Sequence, residues 1–100
     1  MPERIKIVII EDLADIVPSY FLARQGEPAM LARLLENADF HGIQTVGHNL
    51  KGTGASYGFT ELSSIGAQIE KAAKAIAREA VAEQLANLSD YLSRIDLVTN

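Results

Sequence analysis

One hundred residues, 48% of them apolar, suit one domain and leave no room for a second independent core. Nine Lys and Arg against 13 Asp and Glu give a formal charge of −4, so no basic stripe exists to neutralise a run of phosphates, and nucleic-acid binding is not expected. The absence of cysteine excludes a disulfide framework, a thiolate zinc site and a catalytic thiol.

An intracellular, cytoplasmic chain fits this composition best. The longest N-terminal apolar run, Ile7 to Ile10, stops at Glu11 and Asp12, far short of the roughly 20 residues a membrane span needs. Fourteen Ala and 11 Leu against ten Gly and Pro together predict a chain that is mostly helix.

In chain order, Ile5, Ile7 and Ile9 alternate with Lys6, Val8 and Ile10 in a β-branched run that reads as a strand, yet nothing later alternates to partner it. Residues 1–10 are therefore expected to be an extended segment and residues 11–100 the folded domain. Glu11 and Asp12 suit the start of a short helix through Ile16, where carboxylates oppose the macrodipole. Val17 before Pro18 disfavours continuing it, and Pro18 suits the first position of the next helix. That second pattern runs through Tyr20, Phe21, Leu31, Leu34 and Leu35 to about Asp39, either kinked or in two pieces because Gly26 and Pro28 fall inside it.

Phe40 opens a third helix with Ile43, Val46 and Leu50 at helical spacing, followed by Gly52, Gly54 and Gly58. Thr60 can cap a fourth, lined by Leu62, Ile65, Ile69 and Ile76; Val81, Leu85, Leu88, Leu92 and Ile95 form a fifth stripe. No Gly or Pro separates the last two stripes. One continuous rod could not bury both, so packing demands a turn around Ala75 to Arg78.

The informative segment is Gly47-His48-Asn49-Leu50-Lys51-Gly52-Thr53-Gly54. At about 100° per residue, Ile43, Val46 and Leu50 cluster opposite His48, which therefore faces water beside His41, Gln44, Thr45, Lys51 and Gly52. A helical Gly costs roughly 1 kcal/mol relative to Ala, and close approach by another molecule would justify Gly52. An exposed imidazole, neutral near pH 7 with an ordinary pKa of about 6.5, suits a phosphoryl acceptor: one ring nitrogen attacks phosphorus while the other is held. Lys51 would keep the nucleophile neutral and stabilise the phosphoryl oxygens.

His48-Asn49-Leu50-Lys51-Gly52, the small residues to Tyr57, Gly58-Phe59, Glu61-Leu62 and the Ile65 to Glu70 stretch together resemble the histidine-containing phosphotransfer (HPt) domain, whose hallmark is H-x-L-K-G. The likeness extends over about residues 11 to 97. It implies an all-α, antiparallel four-helix bundle with a short extra N-terminal helix. It maps His48 to the phosphorylated histidine, Lys51 and Gly52 to the family's lysine and glycine, and Glu70 to a position whose side chain hydrogen-bonds the imidazole. Read from its own spacing, Glu70 equally suits a surface pair with Lys74 at i+4. Two departures stand out: Ala75-Ile76-Ala77-Arg78 replaces the Gly-Asp turn of many relatives, and Pro28 sits where they continue a helix.

Other motifs fail. Lys51 precedes Gly52, against the order a Walker A loop requires, and His41 and His48 lie two turns apart, too far for a helical metal pair. No metal or cofactor of the chain's own is expected. The resulting expectation is a phosphoryl carrier without independent turnover. It presents His48, with Lys51 and Glu70 assisting, on a docking face of Gln44, Thr45, Gly52 and Ala55. Its partners would be a response-regulator receiver domain, bearing its own Mg²⁺, and a hybrid histidine kinase; a monomer is expected. The alternative is a non-phosphorylated adaptor or inhibitor docking through the same face.

Overall fold

The computed structural model describes residues 3–99; residues 1, 2 and 100 lie outside the described part. Strand β1 (Ile5–Ile9) is followed by a single 3-10 turn at Glu11–Leu13 and by helices α1 (Val17–Gln25), α2 (Glu27–Glu36) and α3 (Phe40–Thr53). A second 3-10 turn (Ala55–Tyr57) leads to α4 (Thr60–Lys74), α5 (Arg78–Ser93) and strand β2 (Ile95–Thr99). Helices α2 to α5 pack in a ring around Leu31, Ile43, Leu50, Phe59, Leu62, Ile69, Val81 and Leu88, all buried. Among the described residues no helix is long and apolar enough to cross a membrane.

Three expectations need correction. The fold is mostly helical but not all-α, because β1 finds a partner: it pairs in parallel with β2, Ile5 opposite Ile95 and Ile9 opposite Thr99. Ile95 continues the fifth helical stripe at the right spacing, whereas α5 stops at Ser93 and Ile95 opens β2. Period two and β-branching suit Ile95–Thr99 to a strand, and only β1, at the far end of the chain, decides between the readings. Parallel strands need a long crossover. Here the bundle itself is the crossover. The inward face, Ile5, Ile7, Ile9, Ile95 and Leu97, packs on the core, which supplies the support a lone two-stranded sheet lacks. Arg4 reinforces the strand ends, donating to the Ser93 and Ile95 carbonyls and to the Asp96 carboxylate.

The second correction concerns the short N-terminal helix, which is only the 3-10 turn at Glu11–Leu13; Glu11 to Ile16 does not form an α-helix. Further on, the chain breaks into two helices at Gly26. Pro28 has no N–H to give the Arg24 carbonyl, and its ring would crowd that carbonyl, so α2 restarts with Pro28 in its first turn. Phe59, rather than Thr60, occupies the cap position of α4.

Both α2 and α4 end in the same device. The Ala77 N–H donates to the Ala72 carbonyl and the Ile76 N–H to Ala73; likewise Asp39 donates to Leu34 and Ala38 to Leu35. This pairing needs a left-handed residue after the last turn, normally Gly. Ile76 (φ 52) and Ala38 (φ 54) take it here. The α4–α5 turn thus falls inside the expected Ala75 to Arg78 window, and Arg78 spans the bundle to donate to the Leu35 carbonyl at the end of α2.

Candidate functional site

Helix α3 is oriented by its buried side. Ile43, Gly47 and Leu50 face inward, and Asp39 holds the first turn by accepting from the Gly42 N–H at 2.9 Å. His48 consequently points outward, its side chain 66% exposed. Antiparallel to it, α4 buries Leu62, Ile65, Ile69, Ala72 and Ala73 and carries Glu70 up to the α3 surface. The helices meet backbone to backbone: a β-carbon at Gly47 or Gly66 would fall inside 3 Å of main-chain atoms of the opposite helix.

Glu70 is buried, with its carboxylate engaged at both oxygens. Oε2 lies 3.0 Å from His48 Nδ1, and Oε1 lies 2.7 Å from Lys51 Nζ. Lys74, four residues along α4, reaches Oε2 only at 3.9 Å. The two readings of Glu70 are thus not exclusive, but its short contacts go to His48 and Lys51. Lys51 donating to it, with His48 adding, holds the Glu70 carboxyl below its ordinary value against the opposing effect of burial. An ionised carboxylate only accepts hydrogen bonds. In the neutral ring Nδ1 therefore carries the proton and Nε2 keeps its lone pair.

The docking-face residues are distributed as helix geometry dictates. Thr45 and Gly52 are exposed, and Gln44 is half-buried; they stand at i−3, i+4 and i−4 from His48. Thr45 turns its hydroxyl back to the His41 carbonyl. Ala55 is exposed in the 3-10 turn beyond α3, its N–H donated to Ser63 Oγ at 2.7 Å. No atom lies within 4 Å of where a Gly52 β-carbon would stand, so nothing inside the fold requires glycine there. Among the described residues, no three His, Asp or Glu side chains gather as metal ligands would.

Sequence reasoning gave no role to Gly47 and Gly66 or to the Tyr20 hydroxyl, which lies 2.7 Å from Thr53 Oγ1 at the end of α3 while its ring stacks on Tyr57. Each helical glycine carried a signal in its propensity cost. The Tyr20 contact carried none.

The fold and site define a helical bundle that displays the His48 imidazole, gripped at a single nitrogen by a carboxylate of the neighbouring helix. The family model for the Hpt domain matches residues 25–97, and the chain belongs to that family. Comparisons with curated proteins and with solved structures gave no match. Hpt domains are phosphotransfer carriers rather than enzymes in the ordinary sense, act in two-component phosphotransfer, and interact with receiver and kinase domains. Strand β1 and nearly all of α1 precede the matched region.

Proposed function

We propose that the chain is a phosphorelay carrier in which His48 takes a phosphoryl group from the aspartyl phosphate of a receiver domain and passes it on. The Nε2 lone pair of His48 attacks phosphorus in line as the P–O bond to the receiver aspartate breaks. An N–P bond replaces an acyl P–O bond, and the electron pair leaves on the aspartate carboxylate. The imidazole gains positive character as Nε2 becomes substituted. Glu70, accepting from Nδ1–H, stabilises that charge and fixes the ring. Lys51, paired with the same carboxylate, offers its ammonium to the phosphoryl oxygens. The Mg²⁺ of the exchange belongs to the receiver. Gln44, Thr45, Gly52 and Ala55 form the surface on which it sits, with a hybrid histidine kinase as the source of the phosphoryl group.

The observation carrying this reading is the exposed His48 ring with only Nδ1 engaged, 3.0 Å from Glu70. Incubation with a phosphorylated receiver domain should label the chain in an acid-labile, alkali-stable form, as a phosphoramidate requires. His48→Gln should abolish the label and His41→Gln should keep it. Stable binding of the receiver with no label on the parent chain would instead establish the adaptor.

A further inference from the structure

Gly47 and Gly66 face one another across the contact between α3 and α4. A β-carbon at Gly66 would stand 2.6 Å from the Lys51 backbone nitrogen, 2.7 Å from Leu50 Cβ and 2.8 Å from the Gly47 carbonyl oxygen. One at Gly47 would stand 2.7 Å from the Glu70 backbone nitrogen and 2.9 Å from the Gly66 carbonyl oxygen. These obstacles are main-chain atoms and a first side-chain carbon, so no rotamer change removes them. Restoring ordinary carbon contacts of about 3.5 Å requires the helices to part by roughly 1 Å.

The functional groups straddle this same contact. His48 follows Gly47 directly, Glu70 lies one turn beyond Gly66, and the Lys51 nitrogen is the nearest obstacle to a Gly66 side chain. Parting the helices would carry the 3.0 Å His48–Glu70 contact out of hydrogen-bond range and stretch the 2.7 Å Lys51–Glu70 pair. We propose that Gly47 and Gly66 are positioning residues, whose missing β-carbons set the α3–α4 separation at which one carboxylate can hold both the His48 ring and Lys51. The proposal rests on the reading that Glu70 orients His48, and adds what fixes the distance. Gly54 supplies the contrast: its β-carbon would meet Ser63 N at 2.8 Å, an equally tight approach in the same interface, but near the end of α3 and away from Glu70.

The test uses the full chain with Gly66→Ala, Gly47→Ala and Gly54→Ala, each alone and combined with Glu70→Ala. Two readouts are followed under conditions where the parent is folded: single-turnover transfer from a phosphorylated receiver domain, and the ¹⁵N resonances of the His48 ring. Gly66→Ala and Gly47→Ala should slow transfer at least about fivefold, since displacement of roughly 1 Å is enough to misplace reacting groups. Both should also move the Nδ1 resonance to the position it takes in Glu70→Ala. With Glu70 already removed, neither substitution should slow transfer further, and Gly54→Ala should leave the ring resonances in place. Equal slowing with and without Glu70, unmoved ring resonances in a folded Gly66→Ala, or unfolding of both Gly47→Ala and Gly66→Ala would overturn the proposal. Glu70→Ala alone distinguishes the levels. If it leaves transfer and ring resonances unchanged, the orienting role falls and the glycine proposal with it; if it alters them while the glycine effects simply add, only the glycine proposal falls.

Discussion

Replacing Gly52 by Gln should separate stability from function. No atom lies within 4 Å of the position a β-carbon would take, so the new side chain meets no steric cost in the folded chain. Ending the backbone freedom of a helical glycine is worth roughly 0.5–1 kcal/mol, with the lower part of the range apt for the last turn of α3. For a domain of this size that corresponds to a melting temperature higher by about 2–6 °C. On the functional side, position 52 stands one turn from His48, where β-carbons at i and i+4 are about 5–6 Å apart, so a Gln amide projects into the volume above the ring. Holding a receiver back by even 1 Å costs up to about a hundredfold through lost alignment, and at least a tenfold slower transfer is expected, about 1.4 kcal/mol of barrier. The measurement pairs thermal melting with single-turnover transfer, with Gly52→Ala as a shorter probe that should gain similar stability and lose less rate. Normal transfer by Gly52→Gln would refute the placement of the docking face around His48, and a lower melting temperature would show that Gly52 serves packing.

The Glu70 carboxyl is held below its ordinary value of 4.5 by Lys51 and His48, so their attraction stabilises the fold above that pH and is lost as pH falls through the lower folded-state value. Glu70→Gln should therefore lessen the acid-side decline in the denaturation midpoint, and an unchanged decline would show that the carboxylate adds nothing; Asp96, held down by Arg4, acts in the same direction and remains in the variant. Ile76, 67% exposed, adopts φ 52 at the end of α4, a conformation costing an L-residue about 1–2 kcal/mol. Ile76→Gly should raise stability by about 1 kcal/mol in urea unfolding with unchanged m-value, and Ile76→Ala should not.

The sequence made α3 legible because Ile43, Val46 and Leu50 leave only one side of the helix for water, and His48 lies on it. Local periodicity suffices for such a statement. The α4–α5 turn follows from the need to bury two stripes, although its left-handed residue is Ile76, where no propensity would put one. Strand β2 was misread because Ile95 continues the Leu88–Leu92 stripe while also starting an alternating run, and a partner 90 positions away breaks the tie. The short helix from Glu11 failed for a different reason: acidic residues can favour a helix start, but the six residues before Val17 and Pro18 allow too few hydrogen bonds to repay nucleation. At the site, the spacing of Lys74 and the family likeness gave Glu70 different partners, and only the packing of α3 on α4 shows which contacts are short. Gly66 illustrates the limit, since its propensity cost marks it as unusual without saying which backbone it approaches.

Pairing the two strands has a consequence for the order of folding. Joining Ile5 to Ile95 in an otherwise unstructured chain closes a loop of about 90 residues, an entropic cost on the order of 4 kcal/mol before any sheet contact repays it. The α3–α4 hairpin, joined by a six-residue connection from Gly54 to Phe59, avoids most of that cost. Once the bundle has formed, α5 delivers β2 to within reach of β1, and closing the sheet requires only the N-terminal segment to settle. Strand pairing is thus a late event in assembly and, in reverse, an early one in opening. The Ile7 and Ile9 amides should accordingly exchange with solvent through a local fluctuation in a native-state hydrogen-exchange measurement, whereas those of α3 around Leu50 should await global unfolding.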